Sequence, residues 1–187
     1  MNKSSFRISV NSPGILGFVA VCFAVQLLNT LLGGWPNRVL FSVYRSSFFN
    51  PLTYLRCVLH VFGHTGWQHL FGNMMYILIL GPMLEEKYGS KTMIFVILAA
   101  AAVTGLSTVI FFPKIALTGA SSVVFAFILL SSVTSSADGT IPLTFILVAV
   151  VYLGQQIFQG LFKADNVAHF AHIIGGIVGT AIGFALR

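Results

Sequence analysis

The residues best placed to do chemistry are a serine at the start of one apolar helix and a histidine on a glycine-striped second one. In Leu117-Thr-Gly-Ala-Ser-Ser-Val-Val-Phe125 the hydroxyl of Ser121 falls in the first turn of an apolar run. In Ala168-His-Phe-Ala-His172-Ile-Ile-Gly175-Gly-Ile-Val-Gly179, His172, Gly175 and Gly179 share one helical stripe. Glycines at that spacing let a neighbouring helix approach closely. If the neighbour is the helix that starts at Ser121, His172 reaches the hydroxyl.

A third stretch, His60-Val-Phe-Gly-His64-Thr-Gly-Trp-Gln-His69-Leu-Phe-Gly-Asn73, puts His69 and Asn73 four residues apart on one helix face. Together these residues supply the parts of acyl transfer: a nucleophile, a base and donors for an oxyanion. A helix amino terminus aims free N–H groups at developing negative charge. His172 can take the hydroxyl proton and return it to a leaving amine. Phe125, one turn beyond Ser121, is placed to pack on the imidazole. The four acids, Glu85, Glu86, Asp138 and Asp165, fall at predicted helix ends or in loops, so neither a triad acid nor an aspartyl pair is available. No H-E-x-x-H helix exists for a zinc mechanism. The serine–histidine pair remains, with no cofactor and no metal required.

The elements that must position these groups are membrane elements. Apolar residues make up 57% of the 187 and charged ones 7%, against about 25% charged in soluble domains. That predicts an integral, all-α membrane protein in contact with lipid. The +6 charge comes from ten basic residues scattered singly along the chain, which argues against a nucleic-acid partner. Cys22 and Cys57 form no CxxC or metal spacing.

A polar leader, residues 1–13, precedes a first helix over Gly14–Leu32 that Gly33-Gly-Trp-Pro36 ends. Asn37–Gly66 is a long connection, rich in phenylalanine, expected to form short, partly embedded helices. The second helix runs from about Trp67 to Leu84 and is closed by polar residues 85–91. The third spans Thr92–Phe112. The fourth runs from after Gly119 to about Ser135; about 15 residues from Ser121 make about 22 Å, short of a hydrocarbon core of about 30 Å. Ser121 is therefore expected below the membrane surface, reached by non-helical backbone over 112–119 that protein or a wet cavity must line. The fifth spans about Ile141–Phe158. Asp165 is the expected N-cap of the sixth, Asn166–Leu186. Residues 1–187 thus read as one domain of six transmembrane helices, with a long first loop and a short fourth helix that starts inside the membrane.

With the amino terminus inside, five basic residues (Lys3, Arg7, Lys87, Lys91, Arg187) face five outside (Arg38, Arg45, Arg56, Lys114, Lys163). Discounting the long loop, where charge counts for less, favours a cytoplasmic amino terminus, in the plasma membrane.

In this order and on these helices, the residues resemble the rhomboid intramembrane serine proteases. Gly119-Ala-Ser121 matches the family's G-x-S-G motif up to the serine, with Ser122 in place of the last glycine. Arg56, His60, His64, His69 and Asn73 are similar to its W-R loop and H-x-x-x-N helix, with Leu55 in place of the tryptophan. Glu85 to Ser90 resembles the polar turn after its second helix, and Ala171-His172 with Gly175 and Gly179 matches A-H-x-x-G-x-x-x-G. The resemblance covers about Arg56 to the end. It implies a Ser121–His172 dyad, an oxyanion hole of His69, Asn73 and the Ser121 N–H, and cleavage of transmembrane protein substrates near their outer ends. Ser122 is small enough for the fourth and sixth helices to stay close.

Plainer roles compete for the same residues. A serine at a helix start is commonly a cap. Gly175 and Gly179 serve packing even in an enzyme, Arg56 pins the first loop, His60 braces it, and His64 and His169 are expected to hydrogen-bond carbonyls. His169 is the rival base, but its stripe carries His172 where that of His172 carries Gly175. Two other classes of protein compete. A catalytically inactive relative acting as a membrane chaperone or dislocation factor would share the six helices, yet such proteins typically lack the serine or the histidine. A redox or metal carrier would use paired histidines as ligands, which a Soret band in the absorption spectrum would reveal.

Overall fold

The computed structural model describes residues 9–134, 140–162 and 166–186. The described helices are α1 (Pro13–Leu31), α2 (Trp35–Val39), α3 (Pro51–Leu59), α4 (Trp67–Tyr88), α5 (Ser90–Phe111), α6 (Ser121–Val133), α7 (Leu143–Phe162) and α8 (Asn166–Ala185). The six helices expected from the apolar runs correspond to α1, α4, α5, α6, α7 and α8. The turn over 135–139 and the expected cap Asp165 lie outside the described residues. Over α1, Ser90–Phe111 and Val167–Ala185 the helices are long and apolar enough to cross a membrane, while Ser121–Val133 and Leu143–Phe158 are shorter apolar helices.

Two boundaries differ from the sequence expectation by a full helical turn. The second long helix does not close at Leu84 but runs on to Tyr88, where Gly89 at φ +79° ends it. Its extra turn carries Glu85, whose carboxylate accepts the Gly14 and Ile15 N–H groups at 2.8 Å each and the Ser90 hydroxyl at 2.5 Å. One acid at the foot of α4 thus caps α1, a role that the Ser12 side chain does not fill. Negative charge there also suits the positive end of the α1 dipole. The fifth long helix likewise continues past Phe158 to Phe162, since 159–162 contain no proline and a single glycine is tolerated in a helix.

The long connection folds as expected, into short helices. Pro36 opens α2, and Asn50 caps α3 by accepting the Leu52 N–H at 3.0 Å. Arg56 is buried; its Nε donates to the Val39 carbonyl at 2.8 Å and its guanidinium lies 4.4 Å from the centre of the Tyr44 ring. This connection sheathes the non-helical backbone before α6. Val43 and Leu117 exchange backbone hydrogen bonds at 2.8 and 2.9 Å, Thr118 Oγ1 donates to the Phe41 carbonyl at 2.6 Å, and the Gly119 N–H donates to the His60 carbonyl at 3.0 Å. Protein therefore satisfies the irregular backbone.

At the centre stands α6, with nine of its 13 residues buried. At about 1.5 Å per residue it is about 20 Å long. Helix α8 lies against it backbone to backbone: a Cβ on Gly175 would fall on the Ser122 carbonyl, and one on Gly179 on the Ala126 carbonyl. No other residue type fits there without parting the helices.

Candidate active site

Three helices bring the sequence-predicted groups together. Ser121 is the first residue of α6, and Ala120 takes the N-cap position with no side-chain cap bond. The hydroxyl is not spent as a cap, and the N–H groups of the first turn have no partners within the helix. Before it, Gly119 holds φ +126°, and a Cβ there would stand 2.6 Å from His69 Cε1. Glycine is needed for conformation and for space.

His172 comes from α8. Its ring stacks on Phe125 with centroids 4.3 Å apart and planes 9° from parallel. Tyr152 of α7 meets the Phe125 ring edge-on at 6.1 Å. His172 Nδ1 lies 2.8 Å from Gln156 Oε1, and His169 Nδ1 lies 2.8 Å from the same oxygen. His169 thus bonds a carbonyl oxygen as expected, that of the Gln156 side-chain amide on α7.

His69 and Asn73 come from the first two turns of α4. His69 Nδ1 is 3.1 Å from Thr65 Oγ1, and its ring meets that of His64 edge-on at 5.1 Å. Asn73 is buried, and its Nδ2 has no hydrogen-bond partner among the described residues. Ser121, His69, Asn73 and His172 line one cavity of about 290 Å³, joined by Tyr76 and Phe125. A second, of about 390 Å³, shares Ser121, His69 and His172 and is walled by Thr65 and residues 115–118. His169 lines neither.

The remaining motif residues stand behind the cavity. His60 Nδ1 is 3.1 Å from the Cys57 carbonyl, and its own carbonyl holds Gly119. The His64 carbonyl accepts from Asn37 Nδ2 at 2.7 Å, whereas neither ring nitrogen of His64 has a hydrogen-bond partner among the described residues, so the expectation that its ring bonds a carbonyl is corrected. Both lie between α3 and α4. Burial is the main cause that lowers both imidazoles to about 4, with the neighbouring His69 adding to the effect on His64. Both are neutral at pH 7.

Gln156 is the site residue that sequence reasoning missed. It lies in an otherwise apolar stretch beside Gln155; Gln155 is exposed and Gln156 is buried. The available signal was that a buried amide must find partners.

Residues 51–187 match the family model described as Rhomboid domain, so the chain belongs to the rhomboid family and is an integral membrane protein. It is 29% identical over 157 residues to Rhomboid-related protein 2 of Mus musculus, an alignment covering 73% of this chain and 52% of that protein. The chain thus spans about half the length of the curated relative it matches.

Proposed function

We propose that this protein is an intramembrane serine endopeptidase that cuts transmembrane segments of other membrane proteins with a Ser121–His172 dyad. The observation that carries the reading is the convergence of Ser121, His172, His69 and Asn73 from three helices on one cavity. In the reaction, Ser121 Oγ attacks the scissile carbonyl carbon while its proton passes to His172 Nε2. The carbonyl oxygen becomes an oxyanion, held by the Ser121 N–H, Asn73 Nδ2 and His69. With the Thr65 hydroxyl donating to His69 Nδ1, the Nε2–H of His69 is free to donate. When the tetrahedral species collapses, the C–N bond breaks and His172 gives its proton to the leaving amine. Water then hydrolyses the acyl-serine by the same route.

The bundle crosses the membrane six times in this reading, with the amino terminus in the cytoplasm of a cell bounded by this plasma membrane and Ser121 below the lipid surface. A groove of about 460 Å³ between α4, α6 and α7 shares Tyr76 with the catalytic cavity. It gives a substrate helix a path from lipid to serine.

The test is cleavage of a single-pass model substrate in liposomes. Cleavage by the parent and none by folded Ser121→Ala supports the reading. An inactive parent, with chaperone-like binding of the same substrate, supports the inactive-relative reading instead.

A further inference from the structure

Neither the dyad nor the oxyanion donors explain why an amide is buried between α7 and α8. Gln156 is 6% exposed, and one of its atoms, Oε1, lies 2.8 Å from Nδ1 of both His172 and His169. An amide oxygen can only accept, so each Nδ1 must carry a proton, and each neutral ring then has an unprotonated Nε2. For His172 that is the tautomer a base needs. The opposite amide orientation would donate N–H to Nδ1 and put the proton on Nε2, which abolishes base function.

We infer that Gln156 is a positioning residue that holds His172 in the Nδ1–H tautomer with Nε2 turned to Ser121, and that His169 fixes the amide by occupying its second lone pair. The inference rests on the proposed dyad. It assigns to a neutral amide the orienting work that a carboxylate does in a triad; the described acids, Glu85 and Glu86, line neither cavity. The Phe125 stack fixes the plane of the ring and Gln156 fixes its rotation within that plane.

The titratable groups around His172 are His169 on its own helix, His69 and Tyr76 on α4, and Tyr152 on α7; no Asp, Glu, Lys or Arg among the described residues lines either cavity. A change in pH profile on altering Gln156 is therefore read against cavities lined by no carboxylate among the described residues.

The experiment measures the rate of fluorophosphonate labelling of Ser121 across pH in the parent, Gln156→Met and Gln156→Glu, with thermal melts as a folding check. Gln156→Met keeps the side-chain length and loses the acceptor. It should lower the maximal labelling rate about ten- to a hundredfold, by analogy with the loss of a hydrogen-bond partner that orients a metal-bound histidine, without weakening probe binding. Gln156→Glu keeps an acceptor, so its rate should stay closer to the parent, with the acid limb moved to higher pH. A Gln156→Met protein that labels at the parental rate and pH profile overturns the inference, as does a folded Gln156→Glu that is as slow as Gln156→Met. Nitrogen-15 spectra of histidine-labelled parent judge the same point without catalysis: an Nδ1–H resonance for His172 supports it and an Nε2–H resonance overturns it. A parent that never labels at Ser121 would remove the dyad reading, while the tautomer would still decide the role of Gln156.

Discussion

Two of the helices packed around α6 meet it in different ways. On one side α8 lies on α6 through Gly175 and Gly179, with backbone against carbonyl and no room for a methyl group. On the other, α7 meets α6 and α8 through side chains, exposes Leu147, Val150 and Phe158, and borders a groove of about 460 Å³. The close seam carries both members of the proposed dyad. The looser one carries Gln156 and the edge of the substrate path. Positions joined by backbone contact are held firmly, while access is left to side chains, which can repack at lower cost than backbones can part.

The largest effect is expected on removing the proposed dyad. His172→Ala should bring single-turnover cleavage below detection, since no other group lining the cavity on α8 can accept the Ser121 proton. If His172→Ala cleaves and His169→Ala is dead, the seam has been assigned to the wrong face of α8. Next comes the seam itself. Gly175→Val must part α8 from α6, so cleavage should be lost and thermal stability should fall by more than the about 1–3 kcal/mol usual for overpacking. Gly176→Ala, one residue on, meets the flexible Leu153 side chain at 3.1 Å, and melts should show a fraction of that loss. Equal effects at 175 and 176 would contradict a difference between the two seams.

A smaller effect is expected on the oxyanion side. Asn73→Ala should cost about a hundred- to a thousandfold in single-turnover rate, about 2.7 to 4 kcal/mol, yet leave cleavage measurable. His69→Ala should fall between Asn73→Ala and His172→Ala, since it also loses contact with Gly119 and His64. The smallest is a pH effect on stability outside the spanning helices. His60 and His64 are lowered from 6.5 to about 4 in the folded protein, so below 6.5 the unfolded chain binds more protons. Stability should be full above pH 6.5 and decline as pH falls towards 4. His64→Gln melts should show a shallower decline between pH 7.5 and 4.5 than the parent.

Much of this was legible in the residues, and the exceptions have physical causes. Apolar runs marked the long helices because each must present a lipid-compatible surface, and the glycine stripe pointed to the α6 contact because only missing side chains permit it. The capping of α1 by Glu85 was not legible: the partners are about 70 residues apart, and a sequence reveals local caps far better than distant ones. Gln156 was overlooked for a related reason. Its meaning lies in two rings on the next helix, and which of the paired glutamines faces inward is set by packing. The Phe125 stack could be foreseen because Phe125 and Ser121 share a helix face, which fixes their relation before any fold is known.

Whether Ser121 is an activated nucleophile is read most directly by mass spectrometry of the parent after exposure to a fluorophosphonate. A Ser121–His172 dyad should give one adduct, on Ser121, retained in Ser122→Ala and absent from folded Ser121→Ala and His172→Ala. An adduct on Ser122, or an undiminished adduct on Ser121 in His172→Ala, would contradict it.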